Sequence, residues 1–126
     1  MKKYAVCGVS NRAIGMFITP IVERFSHNSQ VVGLLDIDPR RFEVCKEKLP
    51  QTKDVAVYTP DQFEQMIEEQ KPDALIVAGV DCTHAEYIIK GLEHDLDVIT
   101  EKPMATTSED CNAILAAEAK SKGRVI

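Results

Sequence analysis

The sequence has no long apolar stretch. Its longest such run covers residues 74–80, far short of the roughly 20 residues that a membrane-spanning helix needs. The amino-terminal apolar stretch stops at Ser10, Asn11 and Arg12, so it does not read as a signal peptide. There is no CxxC pair. Cys7, Cys45, Cys82 and Cys111 are scattered, the pattern of reduced thiols in a cytoplasmic protein. Only Cys82 and His84 lie close together, and two ligands do not make a metal site. Nor is there a basic block. With 15 basic and 20 acidic residues and a net charge of −5, the chain is not built to bind nucleic acid by neutralising phosphates. Repeats, low-complexity tracts and Ser/Gly-rich linkers are also missing.

What remains is an ordinary soluble domain. The chain has 126 residues, 44% hydrophobic and 28% charged, which suits one domain. Size scaling gives about 6,700 Å² of folded surface against about 20,300 Å² unfolded, so roughly two-thirds is buried without disulfide or metal staples.

Short apolar runs alternate with helix-period segments. Tyr4, Ala5, Val6 and Cys7 predict a strand, and residues 12–25 a helix in which Pro20 deprives the Met16 carbonyl of its partner and imposes a kink. Residues 31–35 form a second strand ending at Asp36. Asp38 then caps a helix with Pro39 at its first position and Phe42, Cys45 and Leu49 facing inward. Val55, Ala56 and Val57 predict a third strand. Thr59 and Gln62 read as a capping box before Phe63, Met66 and Ile67. Residues 74–78 read as a strand buried on both faces. Thr83 and Glu86 read as another capping box, before Ala85, Ile88, Ile89 and Leu92. Val98 and Ile99 form a fifth strand. Residues 106–109 cap a last helix carrying Cys111, Ile114 and Leu115 and stopping at Gly123. Arg124, Val125 and Ile126 open a sixth strand, inside which the chain ends. Five βα units predict an α/β fold, a doubly wound parallel sheet with right-handed crossovers.

The chemistry-bearing residues stand where such folds bind dinucleotides. The first βα turn, residues 8–15, offers Gly8 as the first glycine of G-x-G-x-x-G, with the small Ser10 and Ala13 at the second and third positions. Asp36 ends the second strand 28 residues after Gly8, where a carboxylate accepts hydrogen bonds from adenosine ribose hydroxyls. His84 opens its helix at the carboxyl edge of the sheet, as a cleft residue or a simple helix-start polar group.

Three stretches carry a family resemblance: residues 8–12 with 36–41, residues 77–84, and Thr100-Glu101-Lys102-Pro103. The chain resembles the amino-terminal domain of the glucose-fructose oxidoreductase / inositol dehydrogenase / rhizopine-catabolism family (Gfo/Idh/MocA). The resemblance implies a Rossmann-type sheet of order 3-2-1-4-5 with a truncated sixth strand. It also implies NAD(P)-dependent oxidation of sugars, inositols and related polyols. By this likeness Ser10, Asn11 and Arg12 lie beneath the pyrophosphate, Asp36 holds the adenosine ribose and Arg41 lies near the adenine. The segment Ala78, Gly79, Val80 and Asp81, with His84, lines the cleft, and Glu101 and Lys102 reach the nicotinamide ribose and substrate. The family often has Thr-Pro-Asn where this chain has Gly79-Val80-Asp81.

In this frame Lys102 stabilises the alkoxide that develops as hydride leaves a secondary alcohol, and Pro103 is the expected cis-proline. Asp36 favours NAD over NADP by repelling a 2′-phosphate, while Arg40 and Arg41 could reach one. The resemblance further implies a second domain, outside this chain, that carries the substrate pocket and the contacts of a homo-oligomer. The fragment alone is then expected to be inactive. Readings of other classes are a redox-silent sensor or transcription co-regulator on the same fold, and an NAD-dependent glycosidase. A methyltransferase would show an acidic-G-x-G-x-G first turn, which is missing.

Overall fold

The computed structural model describes residues 1–126. Its strands are β1 (Lys2–Cys7), β2 (Ser29–Leu35), β3 (Ala56–Tyr58), β4 (Ala74–Val77) and β5 (Asp97–Thr100). They form one parallel sheet of order β3-β2-β1-β4-β5. The helices are α1 (Asn11–Ala13), α2 (Thr19–Glu23), α3 (Arg40–Lys48), α4 (Phe63–Gln70), α5 (His84–Glu93) and α6 (Ser108–Lys120). The accessible surface is 6949 Å², close to the size-scaling value of about 6,700 Å².

Side chains alternate across each strand, and this alternation builds two cores. Ala5, Cys7, Leu75 and Val77 point to one face, where Phe63 and Met66 of α4, Ile88 and Leu92 of α5 and Ile114 of α6 cover them. Val6, Leu34 and Ile76 point to the other, under Ala13, Ile18 and Ile21 of the first helical segment and Phe42 and Cys45 of α3. All four residues of β4 are buried, as a central strand covered on both faces requires. Emptying such a site, for example Ile76→Ala, removes about 2–5 kcal/mol. The sixth strand begins as expected: Val125 bridges Val98 in parallel, and Thr100 N–H donates to the Ile126 carbonyl at 3.0 Å.

Several local expectations are corrected. Pro20 does not lie in one regular α-helix. Instead α1 opens into a π-helical turn over Ile14–Ile18, and α2 resumes at Thr19. The Thr19 N–H donates to the Ile14 carbonyl five residues back, and the Thr19 hydroxyl donates to the same oxygen at 2.7 Å. A wider turn relieves the clash between a proline ring and the carbonyl four residues before it. Thr83 forms no capping box: Asp81–Thr83 is a 3₁₀ turn leading into α5, and the Thr83 hydroxyl donates back to the Val80 carbonyl at 2.6 Å. The Thr59–Gln62 box does form, with Thr59 N–H donating to Gln62 Oε1 at 3.0 Å. α3 starts one residue later than expected, with Pro39 at its N-cap, although Asp38 Oδ1 still accepts from the Arg40 N–H at 3.0 Å. Thr107 rather than Thr106 caps α6. That helix ends at Lys120, and Leu115 lies on its exposed side, 60% accessible.

Candidate functional site at the carboxyl edge of the sheet

β1 and β4 meet most closely at their carboxyl ends, through glycines. Gly8 has φ of +94°, and a Cβ there would lie 2.2 Å from Gly79 Cα. Only glycine fits, because both the backbone conformation and the contact exclude a side chain. The next peptide is gripped on both sides. Val9 N–H donates to Asp36 Oδ2 at 2.8 Å, and the Val9 carbonyl accepts from Arg41 Nε at 2.8 Å. Arg41 Nη2 also donates to Asn11 Oδ1 at 2.8 Å. Ser10 Oγ accepts from the Ala13 N–H at 3.0 Å and donates to the Ala78 carbonyl at 2.7 Å. The turn that lacks the second and third fingerprint glycines is therefore braced by side chains. Asp36 is held a second time, Oδ1 accepting from the Asp38 N–H at 2.9 Å.

The other half of the edge is the loop after β5. Glu101 N–H continues the sheet ladder to the Val77 carbonyl at 2.8 Å. The Glu101 carboxylate reaches back across the edge to Arg12, with Nε to Oε2 at 3.0 Å. It also accepts from the Lys102 N–H at 3.2 Å. The Arg12 guanidinium, followed by the Lys102 amide, holds the Glu101 carboxyl below its ordinary value. Lys102 is exposed, enters none of the salt bridges, and is joined to Pro103 by a cis peptide, as expected. His84 is fully buried. Its Nδ1 faces the Pro103 carbonyl at 2.7 Å and its Nε2 the Gly79 carbonyl at 3.0 Å.

Three recesses run along this edge and share Gly79. One of about 300 Å³ is walled by Ser10, Arg12, Asp81, His84, Glu101 and Lys102. The second, about 420 Å³, is walled by Asn11, Asp36, Asp38 and Arg41. The third, about 250 Å³, has Gly8, Asp36 and the apolar Leu35, Ile37, Pro60 and Tyr87. Every site candidate read from the sequence, including Ala78, stands on one of these walls. Ile37 was not among them. It and Val80 are 82% and 69% exposed, two apolar side chains on the walls of the second and third recesses. The available signal for Ile37 was an apolar residue directly after the strand-end acid. Cys82 is exposed and free, and no group of acidic, His or Cys side chains could hold a metal ion.

Comparison with known proteins gives this edge its context. The chain is 53% identical over 125 residues to YteT of Bacillus subtilis (strain 168), covering 99% of this chain and 29% of that protein. The structure superposes on myo-inositol dehydrogenase from Lactobacillus casei, solved with NAD(H) and myo-inositol, with a TM-score of 0.84 at 24% identity, over 99% of this chain and 36% of that one. The WlbA dehydrogenase from Bordetella pertussis, solved with NADH and UDP-GlcNAcA, matches with a TM-score of 0.81 at 17% identity, over 99% and 34%. At these identities the structural likeness is one of fold. The chain spans about a third of the length of the relatives it matches. A family model described as the oxidoreductase family, NAD-binding Rossmann fold, matches residues 2–126, and this chain belongs to that Gfo/Idh/MocA family.

Proposed function

We propose that this chain is the cofactor half of an NAD-dependent dehydrogenase acting on a sugar, inositol or related polyol. One observation carries the reading: the strand-end acid Asp36 and the free cation Lys102 wall different recesses that share Gly79, where Gly8 approaches it. A dinucleotide would find a partner for each of its parts along these recesses. Its adenine has apolar surfaces at Ile37 and Val80, its adenosine ribose an acceptor at Asp36, and its pyrophosphate the Ser10–Arg12 turn. When bound, the nicotinamide supplies the hydride acceptor. Lys102 then holds the substrate oxygen and stabilises the negative charge that develops on it. Glu101 fixes the Lys102 backbone and keeps Arg12 at the groove wall.

NAD is favoured over NADP. A 2′-phosphate would meet the Asp36 carboxylate, and neither nearby arginine is free to compensate. Arg40 forks onto Asp38, Nε to Oδ1 and Nη2 to Oδ2 both at 3.0 Å, and Arg41 is spent on Val9 and Asn11.

A second domain in a longer protein would supply the substrate pocket and the subunit contacts of a homo-oligomer. The free cysteines and the lack of any helix able to cross a membrane agree with a place in the cytoplasm. Titration of the 126-residue chain with NADH and NADPH, followed by nicotinamide fluorescence, tests the reading. NADH is expected to bind the more tightly, and NAD to give no turnover on a sugar and polyol panel. Tighter binding of NADPH, or no binding of either, overturns it.

A further inference from the structure

His84 carries an inference beyond lining the groove. It is fully buried and lines the recess shared by Arg12, Asp81, Glu101 and Lys102. Both of its ring nitrogens face backbone carbonyl oxygens, Pro103 at 2.7 Å and Gly79 at 3.0 Å. A carbonyl oxygen can only accept, whereas a neutral imidazole has one N–H and one lone pair. In either neutral tautomer, one nitrogen would present its lone pair to an oxygen at hydrogen-bond distance, a repulsive contact. The imidazolium donates to both.

The two carbonyls belong to different machinery. Gly79 lies on the loop after β4, pressed against Gly8. Pro103 follows Lys102 on the loop after β5. We propose that His84 is a positioning residue that works as an imidazolium, tying the cofactor loop at Gly79 to the Lys102 loop at Pro103. The proposal rests on the cofactor-binding reading above. A buried cation is costly unless it is hydrogen-bonded and paired. Here both N–H groups have acceptors, and the carboxylates of Asp81 on the 3₁₀ turn and Glu101 on the β5 loop share its recess. Arg12 of the first turn and Lys102 line the same recess and act in the opposite sense. Loss of either tie uncouples the Lys102 loop from the Gly79 loop.

Two measurements test this. Nitrogen-15 NMR of the three histidines, with H84Q to identify the resonance, reads the ring directly in the folded chain. Both His84 nitrogens are expected to carry protons at neutral pH, and a ring with one bare nitrogen overturns the proposal. The second measurement compares ADP-ribose, which lacks the nicotinamide, with NADH. In H84Q, NADH affinity relative to ADP-ribose should fall about tenfold, the scale of one lost charge-assisted hydrogen bond. An unchanged ratio in H84Q overturns the clamp. Failure of the wild type to bind either ligand overturns the cofactor reading as well, and the NMR result separates the two. If H84Q does not fold, the wild-type spectrum still decides.

Discussion

Asp36 shows how one side chain at this site serves two ends. Its carboxylate accepts the Val9 and Asp38 N–H groups and also walls the recesses proposed to take the adenosine ribose. Changes made there to alter cofactor choice should therefore cost stability. Asp36→Asn keeps an acceptor for one N–H but turns an amide NH₂ toward the other, a loss of about 1–3 kcal/mol for an unpaired, part-buried donor. Thermal unfolding should show a lowered Tm together with weaker NAD binding. A variant with weaker binding and an unchanged Tm would mean that the Asp36 contacts hold nothing. Lys102 is the opposite case, exposed and unpaired. On the proposed reading, in a longer protein that includes a substrate domain, Lys102→Ala should leave Tm and NAD affinity near wild type and lower kcat far more than it raises KM, because the proposed role of its charge is greatest when the substrate oxygen becomes anionic. Unchanged turnover would make Lys102 an ordinary surface lysine.

At the scale of elements, the apolar spacing of α3, α4 and α5 was legible because each buries one stripe against a flat sheet. Phe42, Cys45 and Leu49 are all buried. The first helical segment was legible only as a helix. Its apolar period is right, yet the π turn is set by where a donorless proline falls relative to the packed face. Gly91 of α5 was not legible at all. An alanine Cβ there would lie 2.8 Å from Val98 Cγ2 and 3.0 Å from Leu75 Cδ2, so the helix needs a glycine to lie close on β4 and β5. Alanine would gain about 1 kcal/mol of helix propensity, but overpacking against stiff, buried Val98 costs about 1–3 kcal/mol. Gly91→Ala should therefore lower the Tm, and adding Val98→Ala should recover part of the loss. A stabilised single variant would show that α5 has room to move away from the sheet.

For the whole molecule, the two-faced core sets how stability responds to alkali. Burial pushes the Cys7 thiol well above its ordinary 9.0 and the Tyr87 phenol from 10.0 up to about 12, with the Cys7, Glu86 and Asp36 charges adding to the Tyr87 shift. Both groups are neutral when protonated, and the folded state holds the proton more tightly than the unfolded one. Their contribution is therefore fully present below pH 9 and is lost as pH rises from there toward 12. Tm should be flat from pH 7 to 9 and fall steeply beyond, with a shallower fall in Tyr87→Phe. Equal slopes in the two proteins would remove Tyr87 from the account.

The sequence by itself determined the alternation of elements, the parallel two-faced sheet and the edge at which the site lies. These follow from local signals: apolar periods of two and 3.6, proline and threonine at helix starts, and a small-residue turn after the first strand. The resemblance carried by a few short motifs then supplied the order of the strands and the names of the site residues. Only the tertiary structure decided which atoms meet. Arg12 reaches Glu101 across 89 residues, Arg41 braces the peptide of Val9, and His84 ends as a buried link between two loops rather than a polar group at a helix start. No local period encodes such pairs, because they depend on how right-handed crossovers bring the ends of separate strands to one edge.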